Sequence, residues 1–221
     1  QIVGATTVYT DITGRKQTEK ALKQSYQSLE RLLEQIVGIL IATVEMRDPY
    51  TAGHQRRVAL ISCAVAKEMG LSDERIEGIR MAALVHDVGK IQVPAEILSK
   101  PAVLSEIEMN LIKCHPQFGY DALKAIEFPW PVARIVLEHH ERLNSSGYPY
   151  RLAGVDIMLE ARIIAVADVV EAMSSHRPYR PTRGIDAALA EIQQNRGTLY
   201  DPAVVDACVR LLTEKGFKLE P

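Results

Sequence analysis

Between Arg15 and Arg47 the chain has no proline and a single glycine, Gly38, and its apolar positions Leu22, Tyr26, Leu29, Leu33, Ile36 and Leu40 fall alternately four and three residues apart. That spacing is the seam of a coiled coil sustained for about three heptads, so the expectation is a long helix that pairs in parallel with a second copy of itself. The same stripe also suits a single amphipathic helix lying on its own domain. Ahead of it, Ile2–Thr10 is rich in β-branched residues and reads as a short strand, followed by a turn into charged helix formers.

Downstream of Pro49 the apolar spacing becomes that of helices joined by turns. The pattern predicts helices over His54–Met69, Asp73–His86, Glu106–Cys114, Gln117–Ile126, Val132–His139, Ile157–Met173, Ile185–Asn195 and Pro202–Lys215. Their starts carry chemical signals: Ser72 precedes an acidic turn, Ser105 and Glu108 have capping-box spacing, and Asp201 precedes a proline suited to the first helical position. Ile91–Val93 is too short to found a sheet, so the expected fold class is all-α.

With 221 residues, 47% apolar and 24% charged, the chain is long enough for one domain with a sizeable core plus a linker or a piece of a second domain. A formal charge of -2 argues against a surface that tracks nucleic-acid phosphates along its length. No apolar run of about 18 residues is present to cross a bilayer. Gln1 begins in mid-pattern without a secretory leader. A cytoplasmic region with no direct membrane or nucleic-acid binding is therefore expected. Cys63, Cys114 and Cys208 are far apart and form no C-x-x-C pair, which suggests neither a disulfide framework nor a thiolate metal site.

Candidate chemistry lies in the histidines. Of the six, His54, His86, His115, His139 and His140 stand in motifs with acids, prolines or another histidine. One histidine on an apolar helix is usually a hydrogen-bonded core residue, but five of them alongside well-placed aspartates point to metal ligation. In ALVHDVGK an apolar helix ends in His86 and Asp87, followed by Gly89 and Lys90. Adjacent side chains on a helix point about 100° apart, so such a pair suits a helix end, or two ions, better than chelation of one ion from mid-helix. The same holds for His139 and His140. A carboxylate that spans two ions with imidazoles around it makes mixed nitrogen and oxygen sites suited to Fe, Mn or Zn. Asp168 interrupts the apolar run ARIIAVADVVEAM, where a lone carboxylate is costly to bury. Metal ligation relieves that cost, and so would a salt bridge to a core arginine.

The motifs HDVGK, HHERLNSSGYP and ADVVEAMSSHRPYR, in this order and separation, resemble the HD-GYP branch of the HD-domain metal phosphohydrolases from about Glu45 to Leu212. The resemblance implies an HD-domain helical bundle and a phosphodiesterase that opens cyclic di-GMP to pGpG; a second cut would give GMP, and whether it follows stays open. It implies two divalent ions per chain, Fe or Mn before others. His54, His86, Asp87 and Asp168 would hold one ion, with Asp87 bridging to a second held by His115, His139 and His140. Lys90 matches the lysine that faces the scissile phosphate and joins Asp87 as a catalytic residue. Gly147, Tyr148 and Pro149 match the loop that names the family, and Arg177 and Arg180 match basic positions that contact the cyclic dinucleotide. Glu171 stands with them as a substrate-binding position, where many members have Asp.

Two departures from the family pattern matter. Asn144 and Ser145 replace the Asp-Gly usual before the GYP triplet, and Ser tolerates a positive φ poorly. Some relatives also carry a glutamate four positions before the first histidine as a ligand for a third ion. Here that position is Tyr50, a phenol with a solution pKa near 10 and a poor ligand at neutral pH, so two ions are expected.

The opening QIVGATTVYTDITGRKQTEKAL resembles the end of a PAS sensor domain, with Asp11, Ile12 and Thr13 as the turn before a signalling helix. The implied organisation is a PAS remnant over 1–13, a linker helix over 14–47 and the catalytic domain over 48–221. The expected partners are cyclic di-GMP, an upstream PAS sensor and a second copy of the chain. Two other readings stay open: a module that binds cyclic di-GMP with weak turnover, and a hydrolase of another cyclic dinucleotide. The RPYR segment would by composition alone be a solvated loop.

Overall fold

The computed structural model describes residues 4, 11–48, 53–175 and 184–217. The expected strand at 2–10, apart from Gly4, lies outside the described residues, as do Tyr50, Arg177 and Arg180. Among the described residues the regular elements are all helical: α1 Thr13–Arg47, α2 His54–Glu68, α3 Asp73–Val85, α4 Ala95–Leu98, α5 Glu106–Ile112, α6 His115–Leu123, α7 Val132–Glu138, α8 Leu159–Ser174, α9 Gly184–Gln194 and α10 Pro202–Thr213. Single 3-10 turns occupy Val88–Gln92 and Gly154–Asp156.

The chain divides into two compact units, 1–39 and 40–221. In the first, Asp11 Oδ1 accepts from the Thr13 N–H at 2.9 Å where α1 begins. The apolar stripe is uncovered, from Leu22 at 69% exposure to Ile36 at 46%. In the second unit the end of α1 contributes Ile41 and Val44 to the core. Helix α8 is its centre and packs on α2, α3, α7, α9 and α10. That position follows from sequence: Ala161, Ile163, Ile164, Ala165, Val166, Ala167 and Val170 are buried, so nearly every face of the helix is apolar. Each fully buried isoleucine, such as Ile61, Ile79, Ile135 or Ile163, contributes about 1.5–3 kcal/mol of transfer free energy.

The capping signals act as their chemistry dictates. Ser72 Oγ accepts from Arg75, Ser105 and Glu108 form a reciprocal capping box, and Asp201 accepts from Ala203 and Val204. Most helix ends differ from expectation by one to three residues, and two starts have a plain physical reason. Helix α6 begins at His115 rather than Gln117, because Pro116 has no N–H to lose at a first turn and its φ is already helical. Helix α8 begins at Leu159 rather than Ile157, since Met158 is extended and its N–H is taken by Glu138 at 2.7 Å. The four-residue α4, which follows Pro94, was not expected.

Candidate metal centre

The histidines sit at helix ends, where adjacent side chains are free to diverge. His86 caps the C-terminus of α3, and Asp87 begins the 3-10 turn after it. His139 caps α7, while His115 opens α6 and His54 opens α2 behind Gly53 at φ 70°. Asp168 is the exception, lying inside α8. Gly89 makes the assembly possible. A Cβ there would stand 2.0 Å from the His115 carbonyl oxygen and 2.5 Å from the Gly119 nitrogen, so only glycine lets the HDVGK turn lie against the start of α6.

Three rings are fixed in the same way. His86 Nδ1 lies 2.7 Å from the Ala83 carbonyl, His115 Nδ1 2.8 Å from that of Ile112, and His139 Nδ1 2.6 Å from that of Val136. A carbonyl oxygen only accepts, so each Nδ1 carries the proton and each Nε2 presents a lone pair. This is the tautomer of a metal-ligating imidazole. His86 Nε2 is buried and has no hydrogen-bond partner among the described residues, an arrangement that is costly unless something else binds it.

These atoms fall into two groups. His115, His139 and His140 offer ligand atoms within 4.8 Å of one another, and so do His54, His86 and Asp87. Asp87 faces both: Oδ2 is 3.4 Å from His86 Nε2 and 3.9 Å from His54 Nε2, while Oδ1 is 3.4 Å from His115 Nε2. Asp168 Oδ1 is 3.2 Å from His54 Nε2, and among the described residues its ion-pair partner is this histidine and no arginine. Lys90 Nζ lies 2.9 Å from Asp87 Oδ2 and 3.3 Å from Asp48 Oδ2. The donor set, buried nitrogen and carboxylate oxygen in two clusters sharing one carboxylate, fits a pair of divalent ions.

The electrostatics agree with ligands held ready. Burial and neighbouring rings press His139 and His140 well below the ordinary histidine range, and burial lowers His115 to about 4. Burial disfavours charge on Asp87 and Asp168, but Lys90 and the surrounding histidines outweigh it at Asp87, and His54 outweighs it at Asp168, so both stay carboxylates. Burial also opposes the charge on Lys90, yet Asp87 and Asp48 raise it to about 12. His54 is the outlier: Asp168 and Glu171 overcome burial and lift it to about 9.

Glu171, expected as a substrate-binding position, lies beside the His54 ligand group. It is 1% exposed, hydrogen-bonded to His54 Nδ1, 2.7 Å from Arg57 Nε, and it accepts from Ser175 Oγ at 2.6 Å. The glutamate orients His54 from behind, and the extra methylene relative to Asp supplies reach. The acids flanking the histidine pair were also not singled out from sequence. Glu138 accepts from Met158 N–H and Arg134, and Glu141 accepts from the N–H groups of Tyr150 and Leu152 at 2.7 and 3.0 Å. The signal was there in EHHER, since two glutamates beside an apolar helix end need partners.

Glu141 thereby clamps the loop bearing Gly147, Tyr148 and Pro149. A Cβ on Gly147 would meet the Glu141 Cα at 2.4 Å and the His140 carbonyl oxygen at 2.5 Å. Tyr148 stacks on His140 with ring centroids 4.8 Å apart, and Lys113 Nζ stands 5.8 Å from the tyrosine ring centroid. Ser145 does adopt the left-handed conformation, at φ 63°. Asn144 Oδ1 steadies the turn by accepting from Ser146 N and Oγ.

Residues 38–204 match the HD domain family model. The chain is similar to the cyclic di-GMP phosphodiesterase response regulator RpfG of Xanthomonas campestris pv. campestris, 43% identical over 194 residues that make up 87% of this chain and 51% of the relative. A cyclic di-GMP phosphodiesterase of Thermotoga maritima is 38% identical over 198 residues, 89% of this chain and 54% of that protein. The chain thus spans about half the length of these curated relatives. The solved structure of a cyclic GMP-AMP specific phosphodiesterase of V. cholerae superposes with a TM-score of 0.54 at 33% identity, covering 84% of this chain and 42% of that one.

Proposed function

Because the chain belongs to the HD domain family, we propose that it is a metal-dependent phosphodiesterase that opens cyclic di-GMP to linear pGpG, from which a second cut of the same kind would give GMP. The observation that carries this reading is Asp87, whose two oxygens face two separate ligand groups. His54, His86, Asp87 and Asp168 would hold one divalent ion and Asp87, His115, His139 and His140 a second, Fe or Mn in this donor set, which would supply Lewis acidity for activating water and neutralising phosphate charge.

The chain's own residues do the rest. His86, His115 and His139 present fixed Nε2 lone pairs, His140 completes one group and His54 with Asp168 the other, and Asp87 holds the two groups in register. Lys90, kept charged by its carboxylates, donates towards a non-bridging phosphate oxygen as negative charge builds on it and on the departing ribose 3′ oxygen. Tyr148 offers an aromatic face beside the phosphate position for a guanine base, with Gly147 and Pro149 setting the loop. Arg177 and Arg180 supply forked donors to the nucleotide in this reading. The substrate class follows the names borne by the two relatives.

Anaerobic purification, elemental analysis and a cyclic di-GMP assay on one sample test the proposal. About two equivalents of metal and conversion to pGpG are expected. Glu45 and Asp48, the carboxylates nearest Tyr50 in sequence, are already engaged by Gly53 N and Lys90 respectively, which supports two ions rather than three. Full metal loading without turnover would make the chain a cyclic di-GMP-binding module. Likeness to the cyclic GMP-AMP specific enzyme makes that hybrid dinucleotide the competitor to run alongside, and preference for it would reassign the substrate.

The exposed stripe of α1 supports a parallel homodimer relaying signals from a PAS sensor, of which residues 1–13 are the end, into a cytoplasmic catalytic domain. Among the described residues no helix is long and apolar enough to cross a membrane. Charged residues at Leu29 and Leu33 should give monomers by light scattering. A monomeric unmodified chain at micromolar concentration would remove the dimer.

A further inference from the structure

We propose that the last turn of α1 is fastened to the catalytic frame and that Asp48 is a positioning residue, setting where the Lys90 ammonium stands; this rests on the phosphodiesterase reading. Three side chains between Glu45 and Asp48 reach three places around the site. Glu45 Oε1 accepts from the Gly53 N–H at 2.7 Å, immediately before the ligand His54. Arg47 Nη2 donates to the Val93 carbonyl at 3.2 Å, just beyond the 3-10 turn that carries Lys90. Asp48 Oδ2 accepts from Lys90 Nζ at 3.3 Å, and Asp87 Oδ2 lies 2.9 Å from the same ammonium.

An ammonium has three N–H donors. With one N–H directed at Asp48 and the Asp87 carboxylate paired with the same ammonium at 2.9 Å, the Lys90 Nζ is confined in position, which suits a group meant for one phosphate oxygen. Asp48 is 7% exposed, so the pair is shielded from the solvent screening that makes surface ion pairs weak. Glu45, Arg47 and Asp48 lie with their three partners inside the second unit, so a displacement of this one short segment acts on all three fastenings together. Displacing a transition-state donor by about 1 Å can cost on the order of 10²-fold in rate, so a small movement of this turn is enough to regulate hydrolysis.

The test is Asp48→Asn in the whole chain, with Asp48→Glu as the charge-keeping companion and each also combined with Lys90→Ala. For Asp48→Asn, kcat should fall by about 10–10²-fold with KM and metal content unchanged. Asp48→Glu should recover part of the loss, and neither change should lower the rate further once Lys90 is alanine. Unchanged kcat, full additivity with Lys90→Ala, or metal lost in step with activity would each overturn the assignment. Hydrogen exchange of the segment 87–93 is read on the same samples and needs no turnover. It should quicken in Asp48→Asn, and unchanged exchange would sink the fastening. If the unmodified chain leaves cyclic di-GMP intact, the substrate reading fails while exchange still decides whether Asp48 holds the turn.

Discussion

The two sides of the centre are built by different means. His86, His115 and His139 each tie Nδ1 to the carbonyl three residues earlier, so their tautomer and ring direction are set by the helix end that carries them. His54 has no such local anchor. Its ring is held by Glu171 and faces Asp168, both from α8 and more than a hundred residues away, and Glu171 is in turn held by Arg57 and Ser175. A locally anchored ligand keeps its geometry as long as its helix end survives. A remotely anchored one depends on the packing of α2 against α8, and its metal affinity should be the easier to change from outside the ligand set.

Asp87→Ala should have the largest effect, because this carboxylate is what the two sides share. Hydrolysis should be abolished and metal content should fall, since the change removes the one carboxylate whose oxygens face both ligand groups. Near-normal turnover at full occupancy would show the sides to be independent and would end the bridging role.

Glu171→Gln tests the asymmetry itself. Outer partners of metal-ligating histidines are worth roughly 10–100-fold in affinity, so metal at the His54 group should be released that much more easily in a chelator competition than metal at the His115 group. KM for cyclic di-GMP should hold once metal is saturating. A raised KM with both affinities intact would return Glu171 to the substrate.

The same asymmetry explains what could be read in the sequence. The helix-end histidines were legible because HD and HH pairs after apolar runs are local patterns, and capping residues such as Ser105, Glu108 and Asp201 act within one turn. Coarse fold class was legible for the same reason, the helices being periodic and separately capped. The contact between Glu171 and His54 was not. Nothing within ten residues of Glu171 hints at a partner 117 residues away. The tie between Asp48 and Lys90 spans 42 residues and was hidden likewise.

Gly89→Ala probes the joint between the HDVGK turn and α6. A methyl group 2.0 Å from the His115 carbonyl oxygen has no flexible neighbour to displace, because the obstructing atoms are backbone. The turn must back away, at a cost of about 1–3 kcal/mol or more. Denaturant unfolding should show that loss, together with weaker metal binding at the His115 group, since retreat of the turn carries Asp87 Oδ1 away from His115 Nε2. Unchanged stability would mean that α6 can slide, and that the local anchoring of His115 is looser than its hydrogen bond to Ile112 implies.

The smallest expected effect is that of Ser145→Gly, which acts on the loop beside His140. Ser145 sits at φ 63°, a conformation that costs a residue with a Cβ roughly 1–2 kcal/mol. Glycine removes that cost but adds freedom to the unfolded chain, worth about 0.4–1 kcal/mol in the other direction. The difference is a gain of at most about 1.5 kcal/mol, or a rise in Tm of up to about 6 °C for a chain of this length. Turnover should barely change. The serine already follows the glycine-like path: its N–H reaches the Arg142 carbonyl at 2.9 Å, Asn144 closes the turn on Ser146, and Glu141 fixes Tyr150 and Leu152 beyond the triplet. The clamp from Glu141 sets the loop, and the residue at 145 complies with it. Calorimetry and a steady-state assay on the same variant check both halves of the argument. A severalfold rise in turnover with no gain in Tm would show instead that serine bends the loop away from its working shape in solution, and that this half of the site is less securely anchored than its histidines suggest.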